Sequence, residues 1–143
     1  MKPYEIIEHT ADVGLRANGA TLKELFQNAS RGMFAIISGS GQRDNLTPGI
    51  QKTIQIKKEV EELEELLVDW LSEILYIFSK ENILFKVFEV HELNNSGIKG
   101  EVYGDRIVPS RTIIQTEIKA VTFHGLRIQE NVQGFSCSII FDV

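Results

Sequence analysis

The sequence predicts an α+β protein, a single domain over residues 1–143 with two main helices packed on a largely antiparallel β-sheet. Three observations lead there. Two stretches repeat apolar residues at helical spacing, and the other apolar stretches alternate with period two. The alternating stretches come in pairs joined by short turns. Paired strands between helices favour an antiparallel sheet over the single strands of a doubly wound parallel fold.

In chain order, "YEIIEH" (4–9) and "VGLRANG" (13–19) read as short strands around a turn. "TLKELFQNASRGMFAIIS" (21–38) reads as a helix. Thr21 is a suitable N-cap, and Glu24 three residues on completes a capping box. Leu22, Leu25, Phe26, Ala29, Met33, Phe34 and Ile37 form its apolar stripe. Gly, Asn and Pro mark 39–49 as a loop. "IQKTIQIKK" alternates as a strand, with Ile50, Ile54 and Ile56 on one face. A longer helix is expected from about Val60 to Lys80, with Glu61 and Glu62 in its first turn and Lys80 in its last, matching the macrodipole. Strands are expected at 83–93, 97–105, 116–125, "LRIQEN" (126–131) and the terminal "FSCSIIFDV" (135–143). "NNSG" (94–97) and "ENVQG" (130–134) read as hairpin turns.

A chain of 143 residues can build one core without disulfides, and no linker divides it. The single Cys137, on the apolar face of the last strand, suits a buried thiol in a reducing cytoplasm. No signal-peptide run and no membrane-length apolar stretch is visible, so a soluble cytoplasmic protein is expected. The net charge of −5 and the lack of a Lys/Arg block argue against strong direct binding to nucleic acid. A dinucleotide fingerprint, a P-loop lysine and a nucleophile elbow are absent. One cysteine and three scattered histidines make a zinc site of the usual type a poor expectation.

Three places invite chemistry, and each has a plainer reading beside it. In "EHTADVG" (8–14), Asp12 sits at a turn where carboxylates are free to converge; an Asx-turn or a cap is the commoner role. His9 beside it reads equally well as a hydrogen-bonded structural histidine. In "EIKAVTFHG" (117–125), alternation puts Lys119 on one face with Val121 and Phe123, which is awkward without an anionic partner. An edge-strand lysine that blunts aggregation is the plain alternative. At the terminus, Asp142 is followed by the α-carboxylate of Val143. Such oxygen ligands suit hard cations such as Ca²⁺ or Mg²⁺, against a frayed end with two solvated charges. The acidic run "KKEVEELEELLVDW" (57–70) reads as a solvated helix face. Within it Asp69 stands beside Trp70, the bulkiest core candidate, and ranks below Asp12 and Asp142.

Taken in order, "HTADVGLRANG", "TLKELFQNASRGMF", "LLVDWLSEILY", "EIKAVTFHGL" and the terminal "FDV" make the chain resemble the archease family over residues 9–143. The departures, "PSRTIIQ" (109–115) and the 39–49 loop, lie outside these stretches. The resemblance implies a helper protein and no catalysis of its own. Archeases act with the GTP-dependent RNA ligase of tRNA splicing and RNA repair, promoting its guanylylation and repeated turnover. It also implies a divalent-metal site (Ca²⁺ or Mg²⁺/Mn²⁺) at Asp12, Asp142 and Val143, and a functional role for Lys119. Two other classes remain as alternatives: a stand-alone metal-dependent phosphohydrolase using Asp12, Asp142 and Lys119, and a chaperone-like interaction module whose carboxylates only stabilise the fold.

Overall fold

Helix α1 (Leu22–Ser38) begins where the capping box requires, with the Thr21 hydroxyl accepting the Glu24 N–H at 3.1 Å. Its burial goes beyond one stripe. Leu25, Phe26, Ala29, Met33, Phe34 and Ile37 are covered, and so are Asn28, Ser30, Gly32 and Ile36. A helix covered nearly all round belongs in the middle of a structure, and both neighbours of α1 are sheets. The computed structural model describes residues 1–8, 12–39, 48–109 and 114–143. His9 and most of the predicted 39–49 loop therefore lie outside the described residues.

The first sheet holds β1 (Tyr4–Glu8), β2 (Asp12–Gly19), β6 (Ala120–Thr122), β7 (Gln129–Asn131) and β8 (Gly134–Asp142). Strand β8 lies at its centre, with β2 then β1 on one side and the short β6 and β7 along the other. The second sheet holds β3 (Ile50–Lys57), β4 (Ile83–Asn94) and β5 (Gly97–Arg106), in the order β3-β5-β4. Every pairing is antiparallel. The expected antiparallel sheet is thus divided in two. Helix α1 packs on β2 and on β4, while α2 (Leu63–Glu81) packs on β3, β4 and β6. Both helices touch both sheets.

Polar side chains fix this layering. Neighbouring residues of α1 hold opposite sheets. Gln27 Oε1 accepts the Val90 N–H of β4 at 2.9 Å, and Asn28 Nδ2 donates to the Asn18 carbonyl of β2 at 2.7 Å. Strand β4 shifts register between Val90 and Glu92, a bulge beside the point where Gln27 reaches it. The helices are joined through buried groups: Trp70 Nε1 donates to Ser30 Oγ at 2.9 Å, and that hydroxyl donates to the Phe26 carbonyl at 2.8 Å. Phe34 meets Phe78 and Phe85 edge-on and Phe88 at a tilt, closing the core between α1, α2 and β4.

Three predicted elements are shorter than expected: the strand expected at 126–131 covers only Gln129–Asn131, and in the other two a distant group claims the backbone. Helix α2 starts at Leu63, so Glu64 and Glu65 occupy its first turn in place of Glu61 and Glu62. The Val60 N–H donates to the Asn95 carbonyl at 2.8 Å and the Asn95 amide returns a bond to the Val60 carbonyl at 3.0 Å. That pins the approach to the helix onto the β4–β5 turn. The predicted strand 116–125 shrinks to Ala120–Thr122, because Gln115 and Thr116 turn aside to bond the last turn of α1.

Candidate functional site

The antiparallel register of β2 and β8 sets Asp12 directly opposite Asp142 at the end of both strands. Residues so paired share a face, with Cβ atoms roughly 4.5–5.5 Å apart. Like charges directly opposite on paired strands are unfavourable, and neither carboxylate forms a salt bridge with any described residue. Asp12 is half-buried, Asp142 is exposed, and Val143, next along, is half-buried. On the other edge of β8, Ala120 pairs with Asp142, and the Lys119 N–H donates to the Asp142 carbonyl at 2.7 Å. Residues from three separate parts of the chain therefore meet at one corner: Asp12, Asp142 with Val143, and Lys119.

The backbone of Lys119 belongs to that corner, and the residue is exposed. It lines a groove of about 530 Å³ between β6 and α2, together with Leu75, Tyr76, Phe78, Ile118 and Val121. Val121 is half-buried beside it, whereas Phe123 lies past the end of β6 and is 55% exposed. Asp69 is not drawn to the corner. Its carboxylate takes the Lys58 ammonium at 3.1 Å, and Glu65 takes the same ammonium at 2.8 Å. Those two bonds, Glu65 first, hold the Lys58 pKa above its ordinary value.

Cys137 is buried, and its pKa is pushed up to about 12, chiefly by burial and then by the nearby Glu64 carboxylate. A thiol held so firmly protonated packs; it does not attack. Glu64 has its own structural task, accepting the Ile128 N–H at 3.1 Å.

Among the described residues, no three His, Cys, Asp or Glu side chains converge as a metal-binding group. The corner offers donors of another kind: two aspartates in register, with Val143 next along the chain. Hard oxygen donors of one sign, with no salt bridge to a described residue, fit a hard divalent cation. Sequence reasoning passed over Gln115, Thr116 and Thr122, which hold this corner in place; Thr122 Oγ1 donates to the Ile140 carbonyl at 2.9 Å. Thr122 sits in a strand of only three residues, and Gln115 and Thr116 lie before it, where no local pattern marks them.

The archease protein family (MTH1598/TM1083) matches residues 4–143. The chain belongs to the archease family. It is 37% identical over 146 residues to the protein archease of Methanosarcina acetivorans, spanning 99% of this chain and 97% of that one. The solution structure of Methanobacterium thermoautotrophicum protein 1598 superposes with a TM-score of 0.80 at 30% identity, covering 100% of both chains. A crystal structure of an archease, possible chaperone, from Thermotoga maritima shares the fold at a TM-score of 0.66. That likeness covers 96% of this chain and 94% of the other, at 22% identity. Archease names a family of proteins and not a reaction, and no catalytic activity attaches to the name.

Proposed function

We propose that this archease is a protein cofactor of the GTP-dependent RNA ligase of tRNA splicing and RNA repair. On this reading it works in the cytoplasm through a divalent cation held by Asp12, Asp142 and the Val143 carboxylate, with Lys119 as the basic partner of that corner. The observation that carries the reading is the register pairing of Asp12 with Asp142. A strand pair that sets like charges face to face accepts a repulsion that a bound cation would turn into attraction.

Phosphoryl transfer asks a protein for charge placement more than for covalent chemistry. A divalent cation at the corner would neutralise phosphate charge and help orient the reacting oxygens. The residues themselves have simpler tasks. Asp12 and Asp142 present oxygens from two paired strands, and the pairing fixes their spacing. The Lys119 N–H holds the Asp142 carbonyl, and its ammonium offers a positive charge on the α2 side. Family membership supports the helper role, and the net charge of −5 supports delivery to a protein partner over direct RNA capture. No helix among the described residues is long and apolar enough to cross a membrane.

The test is multiple-turnover RNA ligation by a cognate ligase, with and without this protein, in Mg²⁺ or Mn²⁺. Repeated turnover only when the protein is present is the expected result. Equal turnover without it would end the proposal, and metal-dependent phosphate release by the protein alone would point to a hydrolase. A second reading is an interaction module, the kind of role named for the possible chaperone of this fold from Thermotoga maritima. Under it, Asp12→Ala would lower the melting temperature and leave ligation unchanged.

A further inference from the structure

The end of α1 is finished by a part of the chain far away in sequence. A helix leaves its last four carbonyls without internal partners, and local caps usually take them. Here Gly39, at φ +73°, donates its N–H to the Ala35 carbonyl at 2.8 Å, as a local cap does. The Ile37 carbonyl instead receives two N–H groups, from Gln115 at 2.7 Å and Thr116 at 3.2 Å. The crossing is close: a Cβ on Gly39 would run into the Gln115 side-chain oxygen. Two residues after Thr116, Ile118 enters the core at 7% exposure, and at the next residue the Lys119 N–H bonds the Asp142 carbonyl.

We infer that residues 115–119 are a strap that positions the chain end. Gln115 and Thr116 anchor it on α1, Ile118 seats it in the core, and the Lys119 N–H clasps Asp142. The step from Thr116 to Lys119 is three residues, which reach at most about 11 Å, so the last turn of α1 is tied to the Asp142 backbone with little slack. The inference rests on the reading of the Asp12–Asp142 corner as the functional site, and it gives Lys119 two separable roles. Its backbone positions a proposed ligand residue, and its side chain serves the partner. Gln115 and Thr116 are positioning residues, acting through their N–H groups and not through their side chains.

Proline and alanine separate these contributions, since proline removes the N–H that alanine keeps. The experiment compares Gln115→Pro/Thr116→Pro with Gln115→Ala/Thr116→Ala in the full chain. It reads Lys119 amide hydrogen exchange and Ca²⁺ affinity by calorimetry, with the amides of Phe26 and Met33 as controls for global folding. The proline pair is expected to speed Lys119 exchange roughly ten-fold or more by local opening, and to weaken Ca²⁺ binding, with the control amides unchanged. The alanine pair is expected to match wild type in both. Wild-type protection of Lys119 in the proline pair overturns the strap. If the controls lose protection too, the single change Gln115→Pro replaces the pair, with the same expectation and the same contrary result. Absence of Ca²⁺ binding in the wild type would sink the metal reading of the corner, and Lys119 exchange would still decide the strap.

Discussion

The interior between the helices and the corner at the chain end follow opposite rules. Between the helices, apolar side chains are fully covered, and the few polar groups there are matched. Trp70 meets Ser30 and Ser30 meets the Phe26 carbonyl, while on the sheet side of α1 Asn28 meets the Asn18 carbonyl of β2. Among the described residues no buried side-chain nitrogen or oxygen lacks a partner. At the corner, two carboxylates sit in register at the tips of paired strands with no salt bridge to a described residue. Glu89 and Glu101 also stand in register, but His91 lies 3.7 Å and 3.2 Å from their carboxylates, a partner that the corner lacks among the described residues.

Substitutions can break this contrast. The largest effect belongs to the interior. Trp70→Ala should cost about 3–5 kcal/mol, because it empties a fully buried indole site and strips Ser30 of its donor. Urea or thermal unfolding would show it, and a cost near zero would mean the interior is not where stability resides. At the corner the sign changes. Without divalent metal, Asp12→Asn should leave stability unchanged or raise it by roughly 0.2–1 kcal/mol, since it relieves a like-charge pair. The same variant should lose ligase activation. Marked destabilisation in metal-free buffer would make Asp12 a structural residue. Lys119→Ala keeps the backbone N–H and removes an exposed ammonium. Its stability should stay within about 0.5 kcal/mol of wild type while ligase activation falls. Full activation by that variant would remove Lys119 from the functional set.

Alkaline pH tests the interior through Cys137. Its folded pKa of about 12 lies above the ordinary thiol value of 9.0, so the folded chain holds a proton that the unfolded chain has released. The unfolded state binds fewer protons in that interval. The contribution is therefore complete below about pH 9 and is lost as pH rises toward 12. Cys137→Ala should flatten this part of the stability profile. An unchanged slope would assign the alkaline loss to other groups.

The sequence made the strongest local signals plain and left the long-range ones hidden. Thr21 and Glu24 mark the start of α1 because a capping box is written within four residues, and the bond is there. The delayed start of α2 was not legible, since it depends on Asn95, which reaches back from a turn between two strands. The predicted strand 116–125 failed in the same way, at the bonds from Gln115 and Thr116 to Ile37. Alternation showed which face each residue of β8 takes, but only the fold gives each its partner. Pairing of residue 12 with residue 142 is a fact of register across nearly the whole chain. At the level of residues, only the family resemblance joined those two positions.

The most direct test of the corner is a calorimetric Ca²⁺ titration of three forms: the native chain, the chain with a short N-terminal extension, and the chain extended by the same residues after Val143. A site that uses the terminal carboxylate predicts equal binding by the first two and greatly weakened binding by the third. Melting should follow the same order, with Ca²⁺ raising the transition temperature of the first two forms only. Equal Ca²⁺ affinity in all three would contradict the account.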